Sequence, residues 1–266
     1  MAIIDRTFSG YVFDLDGTVY LGDALLPGAK HAVETLRALG SRVVFLSNKP
    51  LETRADYAAK LTRLGIPTSP DEVINSSWVM ARWLAREAPG AALFVIGEQP
   101  LLDELREAGF RLTEEPEEIA FVVASFDRTF EYHKLQVAFD AIRAGARFVA
   151  TNADRYCPIP GGGLPDAAAA IGAIEGCTGV KVEVVVGKPS PITVRAILER
   201  LQLPASDCII IGDRLETDVF MGLEAGMATA VVLTGVTTPE LLAASEIQPD
   251  YVLSRLDELL PGLEQA

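Results

Sequence analysis

The 266-residue sequence has few features that would tie it to an oxidising compartment or a membrane. Its three cysteines, Cys157, Cys177 and Cys208, form no Cys-x-x-Cys pair, so neither a disulfide framework nor a zinc site is predicted. No apolar run approaches the roughly 20 residues that span a bilayer. The first residues also lack the basic start and apolar stretch of a signal peptide. We therefore expect a protein of the reducing cytoplasm.

Basic residues are scarce. The chain has 23 Lys and Arg against 37 Asp and Glu, a formal net charge of −14. An acidic surface repels phosphate backbones and anionic lipids, so neither nucleic acid nor membrane is expected as the main partner. The simplest role of this charge is solubility, and it says little about a substrate. Because 49% of the residues are hydrophobic, a sizeable core is expected and disorder is not.

Short apolar runs alternate with helical patterns, which predicts βαβ units and a parallel sheet. The first set of candidate strands covers residues 11–13, 42–46, 182–186, 208–211 and 229–233. These runs are continuous rather than alternating, as expected for strands that are buried on both faces. A second set covers residues 93–96, 121–124 and 148–150. We expect residues 78–181 to form a separate α/β domain, inserted into a first domain made of residues 1–77 and 182–266.

Two carboxylates, Asp14 and Asp16, directly follow the first apolar run, and Gly17 comes next. Like charges so close together repel, and each needs a cation or a proton nearby. A hard divalent cation such as Mg²⁺ meets that need with oxygen ligands. The alternative is an ordinary turn in which Asp and Gly merely suit the loop.

Three further polar groups follow predicted strands. Ser47 and Asn48 come before an expected helix and suit a phosphate group, although such residues more often cap a helix. Lys188 precedes Ser190 and Pro191, a predicted helix start, and a lone lysine there is usually solvated. The third group is Asp213 with Asp218. Because ligands bind at the carboxyl ends of parallel strands, the groups together predict one functional site.

In these residues the sequence resembles the haloacid dehalogenase superfamily. The resemblance covers nearly the whole chain and is carried by Asp14-Leu15-Asp16-Gly17-Thr18, Ser47, Lys188, and Gly212-Asp213 with Asp218. Thr151-Asn152-Ala153-Asp154 and the glycines at 161–163 are similar to the branch of p-nitrophenyl, pyridoxal and phosphoglycolate phosphatases and NagD. The resemblance implies an α/β fold, with a doubly wound parallel-sheet, Rossmann-like core and an inserted α/β cap domain.

Spacing indicates where the cap is inserted. A single helix separates Asp16 from Ser47, which leaves no room for a cap there. Roughly 140 positions separate Asn48 from Lys188, so the insertion lies in that interval.

The resemblance also implies roles for the site residues. Asp14 is the nucleophile that becomes an aspartyl phosphate, and Asp16 is the general acid and base. Ser47, Asn48 and Lys188 would bind the phosphoryl oxygens, and Lys188 is also counted as catalytic. Mg²⁺ would be held by Asp14, the backbone carbonyl of Asp16, and Asp213, with Asp218 behind them.

The expected partner is a small phosphorylated metabolite. Among sugar phosphates, phosphoglycolate, pyridoxal phosphate and nucleotides the sequence makes no choice. Asn152, Asp154, Arg155 and Tyr156 follow a cap strand and are candidates for substrate contact, the alternative being an ordinary polar turn. The cap could also offer a surface for a homodimer.

Two other classes of function stay open. A receiver-type signalling domain also phosphorylates an aspartate at a strand end, but it needs neither the long insertion nor Asp16. A catalytically silent scaffold would be indicated by the loss of Asp14, Asp16, Lys188 or Asp213, and all four are present.

The candidate substrate contacts lead to a prediction. If Arg155 or Tyr156 touches the leaving group, Arg155→Ala and Tyr156→Phe should change kcat/KM by different factors for different phosphate esters. Steady-state kinetics on a panel of esters measures this. An equal factor across the panel would mean that these residues support the fold and recognise nothing.

Overall fold

The computed structural model describes residue 4 and residues 6–159 and 161–260. The chain forms two compact units. The first unit comprises Met1–Ser47, Arg54–Ile74 and Lys188–Ala266, and the second comprises Asn48–Thr53 and Asn75–Gly187. The continuous part of the second unit thus spans 75–187, and the inserted domain was expected at 78–181.

The strands and helices of the described residues are numbered in chain order. The strands are β1 (Gly10–Asp14), β2 (Tyr20–Leu21), β3 (Ala24–Leu25), β4 (Arg42–Ser47), β5 (Val73–Asn75), β6 (Ala92–Ile96), β7 (Arg111–Leu112), β8 (Phe121–Ala124), β9 (Arg147–Ala150), β10 (Tyr156–Ile159), β11 (Gly162–Pro165), β12 (Val184–Val185), β13 (Cys208–Gly212), β14 (Ala228–Val232) and β15 (Tyr251–Leu253). The α-helices are α1 (Ala29–Ala38), α2 (Arg54–Arg63), α3 (Ser76–Glu87), α4 (Gln99–Glu107), α5 (Tyr132–Ala144), α6 (Ala167–Thr178), α7 (Pro191–Leu201), α8 (Phe220–Ala225) and α9 (Pro239–Ala244).

The first unit is built on a six-stranded sheet with the order β15-β14-β13-β1-β4-β5. Strand β1 lies in the middle and pairs in parallel with both β4 and β13. All five residues of β1 and of β13 are buried, as the continuous apolar runs predict for strands covered on both faces. Aromatic rings of neighbouring strands pack beside each other, with the centroids of Phe13 and Phe45 6.2 Å apart. The predicted α/β class is confirmed.

The second unit has its own five-stranded parallel sheet, in the order β12-β9-β8-β6-β7. The predicted strands at 93–96, 121–124 and 148–150 correspond to β6, β8 and β9. A separate core packs helices α5 and α6 onto this sheet through apolar side chains that include Phe148, Ile142 and Ile174. An antiparallel hairpin of β10 and β11 follows β9.

One predicted strand belongs to a different sheet. The apolar run 182–186 was expected in the first domain, but β12 pairs in parallel with β9, with Val184 opposite Val149 and Val185 opposite Ala150. The pairing explains the placement, because α6 forms the crossover from β9 to its neighbour β12. The residues of β12 are only half-buried, as befits an edge strand.

The edge strands of the first sheet were not predicted. Strands β5 and β15 have three residues each, too few to show a periodic pattern. Among the described residues, no helix has the length and apolar character needed to cross a membrane.

Candidate active site

Strand β1 ends at Asp14, which is 8% exposed, and the chain turns sharply after it. Gly17 allows this turn, because its φ of 85° lies in the left-handed region. The turn closes with hydrogen bonds from the Val19 amide to the Leu15 carbonyl and from the Gly17 amide to the Tyr20 carbonyl. Asp16 is exposed. The Asp-x-Asp spacing therefore gives one buried and one exposed carboxylate.

Lys188 reaches the buried carboxylate from the other end of the chain. Its Nζ donates to Asp14 Oδ1 at 2.5 Å and to Asp218 Oδ1 at 2.6 Å, and the residue is 6% exposed. As predicted, helix α7 begins just beyond it with Ser190 as the N-cap and Pro191 as the first residue. Lys188 is thus a buried cation shared by two carboxylates rather than a solvated side chain.

Asp213 and Asp218 come from the end of β13 and the segment that follows. Asp218 lies in a π-helical turn, Leu215–Val219, and its Oδ2 accepts a hydrogen bond from the Arg214 amide at 3.3 Å. A side chain at Gly212 would place its Cβ 2.3 Å from Asp218 Cγ, so glycine makes room for this carboxylate. Asp213 Oδ2 accepts from the Val236 amide at 2.8 Å.

The three buried carboxylates lie close together. One oxygen from each of Asp14, Asp213 and Asp218 lies within 4.8 Å of the others. The pKa of Asp213 is raised to about 6, mainly by burial and to a smaller extent by repulsion from Asp218. Burial also raises the pKa of Asp14 well above its ordinary value, although Lys188 opposes that shift. Burial alone would lower the pKa of Lys188, but the charges of Asp14 and Asp218 outweigh it and raise that pKa.

These residues fit a divalent metal ion. The ammonium group of Lys188 balances only one of the three carboxylate charges. Burial, with repulsion between the carboxylates as a smaller cause, raises the pKa values of Asp14 and Asp213, and a nearby cation would offset both effects. Carboxylate oxygens are the ligands that hard divalent cations prefer. The side chain of Asp16 is exposed and lies outside this cluster.

Ser47 ends β4 at the same sheet edge, one residue beyond the pairing of Leu46 with Asp14. Its side chain is buried, and its Oγ donates to Tyr57 Oη at 3.3 Å. The helix expected directly after Asn48 begins only at Arg54, because residues 48–53 form an irregular segment of the second unit. Neither Ser47 nor Asn48 is a helix cap.

The other predicted site residues lie within the second unit. Asn48 Nδ2 donates to Asp154 Oδ2 at 3.1 Å, and so does Asn152 Nδ2, also at 3.1 Å. Asn152 is fully buried, whereas Arg155 and Tyr156 are exposed at the start of the β10 hairpin. The structure thus brings Asn48, Asn152 and Asp154 together and leaves Arg155 and Tyr156 open to solvent.

Sequence reasoning missed the loop after β14, which supports Asp213 and the turn at Gly17. Thr237 donates its amide and its hydroxyl to the carbonyl of Asp213, at 3.0 and 2.6 Å. Thr234 Oγ1 donates to the Gly17 carbonyl at 2.7 Å, and a Cβ on Gly235 would lie 2.0 Å from Asp213 Oδ2. The signal was present, since Thr234-Gly235-Val236-Thr237 follows an apolar strand at the ligand-binding edge of the sheet.

Comparison with family models agrees with this geometry. A model of haloacid dehalogenase-like hydrolases matches residues 11–111, and a second, HAD-hydrolase-like model matches residues 185–259. The chain belongs to the haloacid dehalogenase-like hydrolase family. The two matches include Asp14, Ser47, Lys188, Asp213 and Asp218. The resemblance drawn from the motifs is confirmed.

Individual members of the family match over almost their whole length. Sugar-phosphatase AraL of Bacillus subtilis is 41% identical over 97% of this chain and 94% of its own. The 4-nitrophenylphosphatase structure from Thermotoga maritima is 36% identical with a TM-score of 0.92, over 97% of this chain and 98% of that one. NagD from Escherichia coli K-12 is 30% identical with a TM-score of 0.88, over 95% of this chain and 98% of that one. The predicted family fold is confirmed, as is the prediction that the chain is a phosphatase.

The acidic cluster leads to a prediction about pH and stability without metal. The Asp213 carboxyl keeps its proton up to about pH 6 in the folded chain but has an ordinary pKa of 3.8. Between these values the folded state binds more protons, so stability is lost as pH rises. In a chelator, the free energy of unfolding of the wild type relative to Asp213→Asn should therefore fall by about 2 kcal/mol between pH 4 and pH 7, at about 1.4 kcal/mol per pKa unit.

Urea unfolding of both proteins at each pH measures this difference, and the contributions of carboxylates outside the cluster cancel. A difference that stayed constant or rose with pH would contradict a raised pKa at Asp213.

Proposed function

We propose that the protein hydrolyses phosphate monoesters of small sugars through an aspartyl phosphate on Asp14. The observation that carries this proposal is the pair of hydrogen bonds that Lys188 donates to Asp14 and Asp218, beside the buried Asp213. In phosphoryl transfer, positioning and charge compensation supply most of the catalysis. A buried nucleophile held by a buried cation is suited to that task.

In the first step an oxygen of the Asp14 carboxylate attacks phosphorus, and the bond from phosphorus to the ester oxygen breaks. Contact with Lys188 favours the ionised carboxylate, and the ion pair fixes its orientation. Asp16 gives its proton to the leaving alkoxide, which departs as the alcohol. The exposure of Asp16, two residues from a buried nucleophile, supports this division of roles.

In the second step the Asp16 carboxylate takes a proton from water as the water oxygen attacks phosphorus. The bond between phosphorus and Asp14 breaks, which releases inorganic phosphate and restores both carboxyl groups. The ammonium group of Lys188 and the hydroxyl of Ser47 bind phosphoryl oxygens during both steps.

The metal is proposed to be Mg²⁺. Asp14, Asp213 and the backbone carbonyl of Asp16 would hold it, with Asp218 orienting the site through Lys188 and the Arg214 amide. When bound, it supplies positive charge to the phosphoryl group.

The proposed substrate class rests on similarity to relatives that are named sugar phosphatases. Sugar-phosphatase AraL matches along nearly the full chain at 41% identity, and so does the acid sugar phosphatase of Staphylococcus saprophyticus at 33%. We therefore place sugar phosphates ahead of phosphoglycolate, pyridoxal phosphate and nucleotides. A homodimer through the inserted unit stays a prediction.

The roles of the two aspartates can be separated by substitution. Asp14→Asn removes the nucleophile at nearly constant volume and should lower kcat by more than roughly a thousandfold on every ester. Asp16→Asn removes the proton donor and should cost roughly 10²- to 10⁴-fold on sugar phosphates. It should cost far less on p-nitrophenyl phosphate, because its leaving group needs little protonation. Because the base for the second step is also lost, Asp16→Asn should accumulate aspartyl phosphate from this ester.

Steady-state kinetics and the intact mass of acid-quenched protein measure these effects. Phosphate on the Asp14→Asn variant, or equal losses on aryl and sugar esters for Asp16→Asn, would show that the roles are assigned wrongly.

The metal requirement gives a second test. Dialysis against EDTA should abolish turnover of sugar phosphates, and Mg²⁺ should restore it in proportion to occupancy. Asp213→Asn should raise the Mg²⁺ concentration for half-maximal activity, because it removes a charged ligand. Asp207→Asn is the matched control, since this exposed carboxylate lies just before the same strand. Full turnover in excess chelator would contradict the proposal.

A further inference from the structure

We infer that Asn152, Asp154 and Gly187 are positioning residues for the phosphatase reaction, which they serve by fixing the chain segments next to Ser47 and Lys188. The inference rests on the proposed function, since it assigns work to residues that touch neither the phosphoryl group nor the nucleophile. Asn48 directly follows Ser47, and Gly187 directly precedes Lys188. These two neighbours both belong to the second unit, where they lie side by side.

A single carboxylate oxygen ties the first of these segments in place. Asp154 Oδ2 accepts from Asn48 Nδ2 and from Asn152 Nδ2, each at 3.1 Å. Asn48 is held from its other side as well, since Ser76 Oγ donates to its carbonyl at 2.6 Å. The residue after Ser47 is therefore fixed at its side chain and at its backbone.

Asn152 anchors this arrangement in the interior of the second unit. It is 0% exposed, and its Nδ2 also donates to the buried Asp166 Oδ1 at 3.0 Å. Its Oδ1 accepts from Thr151 Oγ1 at 2.9 Å. Both amide hydrogens and the carbonyl of Asn152 are thus engaged, which leaves it no donor for a substrate. Its function is to orient Asp154.

Gly187 secures the second segment. Its amide donates to the Thr151 carbonyl at 2.7 Å. A Cβ at this position would lie 2.5 Å from that carbonyl oxygen and 2.5 Å from Asn48 Oδ1. Such contacts are shorter than van der Waals packing allows, so a methyl group would displace Asn48, Gly187 or both. The absence of a side chain at 187 lets the neighbours of Ser47 and Lys188 pack directly together.

The consequence is an alignment requirement at the phosphoryl site. A displacement of about 1 Å in a group that binds the reacting atoms costs as much as a hundredfold in rate. A displacement of Asn48 would move Ser47, and a displacement of Gly187 would move Lys188, because one peptide bond joins each pair. The phosphoryl group is common to all esters, so misalignment slows every substrate by the same factor.

The first test is Gly187→Ala, compared with Gly172→Ala. Position 172 lies on the exposed face of α6 with open space around it, and this control should keep wild-type activity. Gly187→Ala should lower kcat/KM by roughly ten- to a hundredfold. The factor should be the same for p-nitrophenyl phosphate and for a sugar phosphate. Different factors for the two esters would assign the position to leaving-group recognition and overturn the inference.

The second test is Asp154→Ala, which removes the acceptor oxygen that Asn48 and Asn152 share. In the Asp16→Asn background, all Asp14 side chains should still become phosphorylated by p-nitrophenyl phosphate, but with a rate constant lowered by roughly tenfold or more. Quenched-flow samples analysed by intact mass give both the rate and the final extent. A reduced final extent of phosphorylation with an unchanged rate constant would mean that the substitution merely unfolds a fraction of the molecules. This outcome would also overturn the inference.

Hydrogen exchange separates a failure of the inference from a failure of the proposed function. If the Asp16→Asn background itself acquired no phosphate, the proposed function would fail, while exchange at the Gly187 amide would still report on the contact network. Asp154→Ala should speed exchange at Gly187 and leave the β6 amides unchanged. Unchanged exchange at Gly187 would show that the network does not fix this segment.

Discussion

The candidate active site depends on one electrostatic constraint, which is that three buried carboxylates lie around a single buried ammonium group. Asp14, Asp213 and Asp218 lie within reach of a common ion, and Lys188 binds two of them directly. Removing charges from water costs several kcal/mol each unless they are paired, so such a cluster persists only where the surrounding fold holds it. Here a central strand, a π-helical turn and a glycine-containing loop share that task.

Space is as important as charge at this sheet edge. Two glycines, Gly212 and Gly235, leave the volume into which the Asp218 and Asp213 carboxylates fit. A methyl group at either would overlap carboxylate atoms that also accept backbone hydrogen bonds. The glycines therefore belong to the acidic cluster as much as its charged members do. Their contribution is to let the carboxylates approach backbone amides that would otherwise lack buried acceptors.

The sequence predicted the buried strands of both sheets well, because β1, β4, β8 and β13 are continuous apolar runs. The site residues at the ends of these strands followed from the topology of parallel sheets. The features that the sequence did not predict depend on contacts between residues far apart along the chain. The run at 182–186 has the same apolar character as a core strand, and only its pairing with β9 reveals which sheet it joins. The support from residues 234–237 likewise depends on which loop lies beside Asp213.

Asn152 illustrates the same limit at a single residue. A polar residue that follows a strand has the same pattern whether it faces a ligand or a buried network, and only the structure shows its amide engaged on every side. The spacing of motifs can locate such a residue at the correct end of a sheet. It cannot say which partners the amide contacts, because those partners lie at distant positions along the chain.

The strand order has a consequence for synthesis on the ribosome. Strand β1 emerges first, yet its neighbour β13 and Lys188, the hydrogen-bond partner of Asp14, lie in the last third of the chain. The continuous segment 75–187 is complete before either has been made. Because domains generally fold as units when their residues become available, this segment can form its own sheet while β1 still lacks one neighbour. The cluster of Asp14, Lys188, Asp213 and Asp218 can thus assemble only when translation is nearly finished.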